Sequence, residues 1–395
     1  MTAARPRLLV ATTIPETAWT IMRGQLAHLQ GHGFDVVLLT SPGPLLEHTG
    51  RREGIAVSAI PMRRELSPKA DLIVLWRLFR LLRADPVDIS YVGTPKAALL
   101  VGLATAAVNT RTRICLLRGL RLETEHGWRR AILWMCEWIT LRTAHHVIVV
   151  SPSLRDRARQ LHLLGKRQGV VLGRGASNGI DLDALAPTRP ARARGANLRT
   201  AFKIPEHGFV FGFVGRLTAD KGISELVDAF ALVQHRYPDV WLLIAGAEEL
   251  TGLPSPLRDK LKTLTNVRFT GWLEDTAPVY HAIDCLVLPT YREGFPNVPL
   301  EAAAAGRPVI TTSATGAVDS IIANQTGLLV EPRSASDLAA AMAHLAGHRD
   351  EAQAMGEAGR RFVTQHYTNQ IIWRALTDFL DSTAAPDATG HRLHR

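Results

Sequence analysis

The segment FVFGFVGRLTADKGISELVDAF, residues 209–230, shows most clearly how this chain of 395 residues folds. A run of β-branched and aromatic residues leads into a short polar loop and then into apolar residues at helical spacing, which predicts a strand, a loop and a helix. Further apolar runs follow, separated by helical patterns, and such alternation predicts a parallel sheet. The predicted strands of this half are 209–215, 240–246, 267–271, 284–290, 308–312 and 327–330.

The N-terminal half repeats this alternation. A strand at 8–12, a helix at 17–29 and a strand at 34–40 form a βαβ unit, and shorter apolar runs predict strands at 88–91, 113–117 and 147–150. We therefore expect an α/β protein with two doubly wound, Rossmann-like domains and a cleft between them. The segment 173–201, rich in Gly, Ala, Pro and Arg, is interpreted as the linker. The expected parts are a domain at 1–175, a domain at 176–365, a helix at 366–382 that packs back on the first domain, and a loose tail at 383–395.

Composition limits the possible classes of protein. Apolar residues make up 46% of the chain and charged residues 21%, which is typical of a soluble globular protein. The longest apolar stretch, 97–108, is shorter than the roughly 20 residues that cross a bilayer. The N-terminus lacks the pattern of a secretion signal, so we expect a cytoplasmic protein. Three cysteines without metal-ligand spacing are interpreted as reduced core residues: Cys115, Cys136 and Cys285.

The positive charge is uneven. The formal net charge is +10, and residues 1–175 hold 25 Lys and Arg against 12 Asp and Glu. This excess predicts an anionic partner, either nucleic acid or a membrane surface. Residues 71–83 have apolar positions at near-helical spacing, with Arg77, Arg80 and Arg83 on one side. Such a helix suits an anionic membrane surface, although core packing with the arginines in water is equally compatible with the pattern.

The loop after the first strand of the second half predicts a phosphate site. Gly215 and Arg216 end the strand, and Lys221 with Gly222 precede the next helix. Cations beside a helix N-terminus are unfavourable unless an anion offsets them, so Arg216 and Lys221 are interpreted as ligands of a diphosphate. Solvated surface cations are the alternative. Neither GxGxxG nor GxxxxGK[ST] is present, so those two modes of phosphate binding are not predicted.

Two glutamates in TYREGFPNVPLEAAAAGRPVI, residues 290–310, give the strongest functional signal. Glu293 lies in the loop after a strand, and Pro299 fits a first helical turn, which places Glu301 near the third helical position. Carboxylates at this spacing can hold sugar hydroxyls while backbone N–H groups of 294–297 meet phosphates. A turn residue and a helix-start carboxylate are the simpler interpretations, but together with Arg216 and Lys221 a shared ligand site is favoured.

The segment EGFPNVPLE resembles the E-x7-E motif of family 4 glycosyltransferases, and GRLTADKG resembles that family's donor-phosphate segment. The segments RGQLAHLQGHGFDVVLLT, VIVVSPSLRDRA and ASNGID also look like family segments, in the expected order. The resemblance covers nearly the whole chain. It implies a retaining glycosyltransferase of the GT-B fold, with an acceptor-binding first domain, a nucleotide-sugar-binding second domain and no metal or other cofactor.

Carried over by position, the resemblance implies that Glu293 binds the donor sugar and Glu301 the ribose, with Arg216 and Lys221 on the diphosphate. Many relatives have His-Gly where this chain has Arg118-Gly119, and an arginine cannot act as a base but can stabilise a phosphate. The predicted catalytic residues are Glu293, Arg118 and Lys221. The predicted donor-binding residues are Gly215, Arg216, Lys221, Glu293, Gly294, Phe295, Pro296, Asn297, Val298 and Glu301.

The acceptor implied by the positive N-terminal half is a saccharide linked to a polyprenyl diphosphate, as in bacterial relatives that build surface polysaccharides; a soluble acceptor remains an alternative. The expected location is the inner face of the plasma membrane, bound peripherally. A nucleotide-sugar 2-epimerase of the same fold is a rival function. A basic nucleic-acid-binding protein is a weaker rival, because helix-turn-helix, zinc-finger and aromatic stacking motifs are absent and aromatic residues make up only 6% of the chain.

Overall fold

The computed structural model of the chain describes residues 5–63, 65, 67–166, 168–246 and 255–384. The chain divides into two compact units. The first unit contains residues 1–178 together with 369–395, and the second contains 179–368. The part of the predicted tail beyond 384 lies outside the described residues.

The first unit contains a parallel sheet in the order β3-β2-β1-β4-β5-β6. Its central strand β1 pairs with β2 through Leu9 and Val37 and with β4 through Leu9 and Ser90. The order reverses between β1 and β4, and the carboxyl ends of strands at such a reversal are where ligands bind in sheets of this type. The strands are β1 (Arg7–Ala11), β2 (Asp35–Thr40), β3 (Ala56–Ala59), β4 (Ile89–Val92), β5 (Thr112–Leu117) and β6 (His146–Val149).

The predicted helix at 17–29 is wrong in one respect, because two helices occupy this region. The first ends at Ile21 and the second begins at Gln25, after Gly24 in the left-handed conformation. A methyl group on Gly24 would lie 2.7 Å from the ring of Trp373, so this break admits the C-terminal helix. The helices of this unit are α1 (Pro15–Ile21), α2 (Gln25–His32), α3 (Pro44–Glu53), α4 (Pro68–Ala84), α5 (Pro95–Ala107), α6 (Gly127–Thr143), α7 (Pro152–Gln160) and, as α16, Asn369–Ala384.

The second unit repeats the same topology with the strand order β12-β11-β10-β7-β8-β9. The six strands predicted for this half are confirmed to within two residues at each end. One core cluster combines alternate strand residues of the sheet with apolar residues of the flanking helices, including Phe211, Phe230 and Met342. The strands are β7 (Phe209–Val214), β8 (Val240–Ala245), β9 (Val267–Gly271), β10 (Cys285–Leu288), β11 (Val309–Thr312) and β12 (Gly327–Val330).

The segment interpreted as a linker, 173–201, is largely structured. Its second half is a helix that begins after Thr188, whose hydroxyl accepts a hydrogen bond from the Ala191 N–H at 3.3 Å. Pro190 fits the first turn, where its missing N–H costs nothing. The linker interpretation is therefore wrong for these residues. The helices of this unit are α8 (Leu182–Leu185), α9 (Arg189–Ala201), α10 (Ile223–Arg236), α11 (Ser255–Thr263), α12 (Ala277–Ala282), α13 (Asn297–Ala304), α14 (Ala335–Gly347) and α15 (Arg349–His366).

Candidate functional site

The two loops that carry the predicted site follow β7 and β10, the neighbouring strands between which the second sheet reverses its order. These strands pair directly, with Cys285 opposite Phe211. Because parallel strands end at the same edge, the loop 215–222 and the loop 289–296 emerge side by side at the place where such sheets bind ligands.

Asp220 joins these two loops, although the sequence did not single it out. Its backbone carbonyl accepts hydrogen bonds from the Tyr291 N–H at 2.9 Å and from the Thr290 hydroxyl at 3.1 Å. Its carboxylate accepts a hydrogen bond from the Thr218 hydroxyl at 2.6 Å and lies 3.5 Å from the guanidinium of Arg292. The first loop is therefore held to the second by both the backbone and the side chain of one residue.

The pKa of the Asp220 carboxyl reflects the positive charge around this loop. Burial raises its pKa, but the hydrogen bond from Thr218 and the charges of Arg292, Lys221 and Arg216 outweigh burial and leave the pKa below its ordinary value. Both cations predicted to bind a diphosphate thus lie close enough to Asp220 to stabilise its charged form.

Two glycines allow close backbone approach to the loop 289–296, one at the end of the loop 215–222 and one in the segment after β11. Gly222 has φ +69°, and a methyl group added to it would lie 2.0 Å from the carbonyl oxygen of Pro289. Gly316 has φ +75°, and a methyl group there would lie 2.4 Å from the carbonyl oxygen of Gly294. Only glycine satisfies both the backbone angle and the space at these positions. The N–H of Glu293 donates to the carbonyl of Thr315 at 2.8 Å, which fixes the loop from the other side.

Lys221 and Glu293 form an ion pair and a hydrogen bond, with Nζ donating to Oε1. Their side chains are only 17% and 15% exposed, so water and salt screen this attraction less than at an open surface. The sequence predicts that a bound phosphate offsets the repulsion between Lys221 and the helix N-terminus. In the structure the carboxylate of Glu293 offsets part of this repulsion. The ammonium group has three donors, which leaves capacity for a second anionic partner.

Glu301 has a different partner, because its Oε2 accepts a hydrogen bond from the hydroxyl of Tyr280, a fully buried side chain of α12. Burial raises the pKa of the Glu301 carboxyl, and the hydrogen bond from Tyr280 opposes that rise. The predicted position of Glu301 in its helix is wrong, since α13 begins at Asn297 and Glu301 is its fifth residue. Pro299 does lie in the first turn, as predicted.

The remaining predicted donor residues lie on the same two loops. Arg216 is exposed, whereas Gly294, Phe295 and Pro296 are buried, and Gly215, Asn297 and Val298 are partly buried. The ring of Phe295 packs on Tyr367 with centroids 5.4 Å apart, so this side chain supports the loop from within the second unit. Donor contact by each of these residues stays a prediction.

Arg118, the third predicted catalytic residue, belongs to the first unit and follows β5. Its three guanidinium nitrogens are buried, and none has a hydrogen-bond partner among the described residues. Burial lowers the pKa of Arg118, and the neighbouring Tyr91 opposes that effect. The carboxyl-end edge of the first sheet therefore contains a buried cation to which the described residues supply no counter-charge.

Two helices of the first unit expose large apolar side chains, and both pack against α5. On α4, Leu72, Ile73 and Trp76 are exposed while Val74, Leu78 and Leu82 are buried. The alternative of core packing with the arginines in water is confirmed for Leu78 and Leu82, which are buried while the three arginines of this helix are exposed. It is wrong for Leu72 and Trp76, which are exposed. On α6, which the sequence did not single out, the exposed residues are Trp128, Met135 and Trp138.

Arginines stack on these aromatic rings. The guanidinium of Arg80 lies 4.8 Å from the ring centre of Trp76, that of Arg129 lies 5.6 Å from Trp128, and that of Arg142 lies 5.1 Å from Trp138. We use the name α4–α6 face for these exposed side chains of the two helices: Leu72, Ile73, Trp76, Arg80, Trp128, Arg129, Met135, Trp138 and Arg142. None of the described helices is both long enough and apolar enough to span a bilayer.

A group of possible metal ligands lies elsewhere in the second unit. The ligand atoms of His344, His348 and Glu351 all lie within 4.8 Å of one another on the exposed junction of α14 and α15. This group is on neither of the loops that carry the predicted site.

Comparisons with known proteins match this architecture. Residues 16–175 match the family described as glycosyl transferase 4-like domain, and residues 208–348 match glycosyl transferases group 1. The capsular polysaccharide biosynthesis glycosyltransferase CapM of Staphylococcus aureus is 32% identical over 358 residues, which cover 90% of this chain and 92% of that protein. A GDP-mannose-dependent phosphatidylinositol monomannoside mannosyltransferase of Mycobacterium tuberculosis is 35% identical over 51% of this chain and 54% of its own length.

Solved structures show the same fold. HepE of Anabaena, determined in complex with UDP-glucose, gives a TM-score of 0.79 at 18% identity and covers 95% of this chain and 99% of its own. A glycosyltransferase of Rickettsia africae gives 0.78 at 19% identity, over 96% and 98% of the two chains. Two six-stranded parallel sheets of this topology, together with these neighbours, define the class of proteins with the GT-B fold. The relationship to CapM and the two family matches specify it further: the chain belongs to family 4 of the glycosyltransferases.

Proposed function

We propose that this protein is a retaining glycosyltransferase that moves a sugar from a nucleotide-sugar donor to a saccharide linked to a polyprenyl diphosphate. The observation that carries the donor half of the proposal is the convergence of Lys221 and Glu293 from two loops at the reversal point of the second sheet. A sugar diphosphate requires a cation that binds its phosphates and a carboxylate that accepts hydrogen bonds from its sugar hydroxyls, and Lys221 and Glu293 provide both side by side.

In the proposed complex, Arg216 and Lys221 bind the diphosphate. Glu293 accepts hydrogen bonds from sugar hydroxyls, and its contact with Lys221 places the sugar next to the phosphate. Glu301, held by Tyr280, accepts hydrogen bonds from the ribose through its remaining acceptor capacity. The residues 294–298 line the sugar and phosphate, chiefly through their backbone.

The proposed reaction is a displacement on one face of the sugar. The bond from the anomeric carbon to the donor phosphate oxygen breaks, and a bond from that carbon to the acceptor oxygen forms on the same side. The proton of the acceptor hydroxyl passes to the departing phosphate oxygen. Lys221 stabilises the negative charge that develops on that phosphate, so binding and catalysis use the same ammonium group. The proposal requires no metal ion.

The acceptor half of the proposal is supported by two observations. CapM is named for capsular polysaccharide biosynthesis, and the α4–α6 face presents aromatic side chains with arginines stacked upon them. Aromatic rings favour the interfacial region of a bilayer, and arginines are attracted to anionic headgroups. We propose that this face holds the enzyme peripherally on the inner face of the plasma membrane, where a lipid-linked acceptor is available.

The proposed function is tested with the purified protein, a panel of nucleotide sugars and a polyprenyl-diphosphate-linked saccharide. The anomeric configuration of the product, read by NMR, should match that of the donor sugar, and transfer should persist in EDTA. An inverted configuration contradicts the retaining mechanism. A new nucleotide sugar formed from the donor alone would identify a 2-epimerase instead.

A further inference from the structure

The first unit contains a place where the described residues leave a charge without compensation, at the carboxyl-end edge of its sheet. Gly93 follows β4, and Arg118 follows the neighbouring strand β5. A methyl group added to Gly93 would lie 3.0 Å from Nε and 3.4 Å from Cζ of Arg118, so the guanidinium packs directly on this glycine. Its nitrogens are buried and donate no hydrogen bond to any described residue.

The N-terminus of α5 lies at the same point, because Thr94 is its N-cap residue and follows Gly93. The side chain of Thr94 does not cap this helix of 13 residues. The Thr94 hydroxyl is instead engaged by Thr13, whose N–H donates to it at 2.8 Å and whose own hydroxyl lies 2.8 Å away. Uncapped N–H groups and the positive end of the helix dipole therefore add to the positive potential around Arg118.

The charged groups that the structure describes nearby do not neutralise this potential. Lys96, in the first turn of α5, is paired with Asp71 at 2.5 Å and donates to the Glu65 carbonyl at 2.8 Å. Asp71 is therefore already matched by a cation. A buried guanidinium without an anion is strongly unfavourable, and it adjoins a helix end that also prefers an anion. Both features are relieved by the same ligand.

We propose that Arg118 and the N-terminus of α5 form an anion site that binds a phosphoryl group of the phosphorylated acceptor. The guanidinium donates to the phosphate oxygens, and the free N–H groups of the first turn of α5 complete the site. This inference rests on the proposed function for the identity of the acceptor, whereas the anion site itself stands on the geometry of the first unit alone. Arg118 is on this account a binding residue for the acceptor and contributes nothing to the donor diphosphate.

The first test is the thermal stability of Arg118→Met in buffer without phosphate. Methionine fills the space of the side chain without its charge, so the midpoint of unfolding should stay level or rise by a few degrees. An arginine that served only the packing of the fold would give a clear fall, and that result overturns the proposal. Arg121→Met, which removes an exposed arginine three residues away, is the matched control.

The second test uses inorganic pyrophosphate as the probe in a Lys221→Ala background, where the proposed donor site is weakened. Pyrophosphate should raise the midpoint of Lys221→Ala and should bind Arg118→Met/Lys221→Ala at least about tenfold more weakly. Equal stabilisation of both proteins overturns the site. This arm needs no turnover, so a failure of the proposed transfer reaction and a failure of the anion site are separate results.

The third test separates the possible sources of the phosphate. Farnesyl diphosphate should bind the wild-type protein more tightly than pyrophosphate, and this advantage should disappear with Arg118→Met; equal binding of the two probes contradicts a lipid-linked source. Binding of nucleoside diphosphates should be unchanged in Arg118→Met. If that affinity falls as far as the affinity for pyrophosphate, Arg118 serves the donor and the proposal is wrong.

Discussion

Lys221 and Glu293 are 72 positions apart in the chain, yet the ammonium group of one donates a hydrogen bond to the carboxylate of the other. Both follow strands that flank the reversal point of the second sheet, and Asp220 ties their loops together. The pair is thus positioned by topology and by local hydrogen bonds before any ligand binds, which limits the reorganisation that binding requires.

Replacing either member of this pair should abolish transfer. We expect Lys221→Ala and Glu293→Ala to lower kcat/KM by roughly a hundredfold or more each, because the first removes charge stabilisation at the phosphate and the second removes sugar positioning. The double variant should lose much less than the product of the two effects, since the side chains contact each other. Steady-state kinetics measure all three.

The control for this series is Lys260→Ala, which breaks a comparable pair with Asp228 at 2.5 Å on the exposed surface of the same unit. This variant should keep wild-type activity, since exposed pairs contribute little. Full activity in both Lys221→Ala and Glu293→Ala would remove the site assignment.

Gly222→Ala should weaken the junction of the two loops. The added methyl group meets the Pro289 carbonyl at 2.0 Å, so the loops must separate, and we expect a loss of about 3 kcal/mol of stability together with loss of donor binding. Gly271→Ala is the matched control, because its φ of +70° is nearly the same but no atom lies within 4 Å of the added group. It should cost only about 1 kcal/mol. Equal losses of stability in the two variants, measured by calorimetry, would show that backbone strain alone is responsible and that the contact with Pro289 is not.

Tyr280→Phe tests the support of Glu301. Removal of the hydroxyl leaves one carboxylate oxygen without its donor, so the carboxylate loses its fixed orientation and we expect donor affinity to fall roughly tenfold. Isothermal titration with the nucleotide sugar measures this. Tyr237→Phe, at a partly buried position on the core of the same unit, is the control and should leave affinity unchanged. An unchanged affinity in Tyr280→Phe contradicts the ribose assignment.

Glu137 of α6 should make stability depend on pH. Burial raises its pKa from 4.5 to about 7, so the native state binds more protons than the unfolded state between these values. The stabilising contribution is complete below pH 4.5 and is lost as the pH rises through 7. Glu137→Gln should therefore gain up to roughly 3 kcal/mol relative to the wild type at pH 8, and much less at pH 5.

The measurement is the midpoint of thermal unfolding at pH 5 and pH 8. Glu47→Gln removes the same charge from an exposed position on α3 and should shift the midpoint equally little at both values. A pH-independent difference between Glu137→Gln and the wild type would mean that the carboxyl is not buried as described.

The α4–α6 face should bind anionic membranes. Trp76→Ser and Trp128→Ser should each reduce sedimentation with vesicles of phosphatidylglycerol and phosphatidylcholine. Low salt should strengthen vesicle binding of the wild-type protein, and the triple variant Arg77→Gln/Arg80→Gln/Arg83→Gln should lose this increase. Trp272→Ser is the control, because Trp272 is 71% exposed but belongs to the second unit. Equal losses of vesicle binding in all three tryptophan variants, or equal binding of the wild-type protein to neutral vesicles, would contradict membrane binding through the α4–α6 face.

Much of the fold could be predicted from the sequence, because the second half alternates buried strands and amphipathic helices with little ambiguity. Features that depend on packing were missed. Strand β3 is short and only partly buried, and the break at Gly24 exists to admit Trp373, which is distant in sequence. The composition of helix α9 resembles that of a loop, so it predicts a linker. The capping residue Thr188 is the feature of the sequence that indicates a helix start.

For the candidate site, the sequence predicted which residues share one edge but not their partners. Asp220 was overlooked because a single aspartate in a loop has many roles, and its joining function appears only when the β10 loop lies beside it. Tyr280 was overlooked because it comes from α12, outside every motif. The buried state of Arg118 could not be predicted, since a charged residue after a strand normally reaches water.

Whether the donor binds between these two loops is decided by comparing the affinities of a nucleoside diphosphate and of the corresponding nucleotide sugar for Lys221→Ala and Glu293→Gln. We expect Lys221→Ala to bind both ligands more weakly than the wild type, whereas Glu293→Gln should bind the nucleotide sugar more weakly and the nucleoside diphosphate with nearly wild-type affinity. If neither substitution changes the affinity for either ligand, the donor does not bind at these two loops and the proposed donor site is wrong.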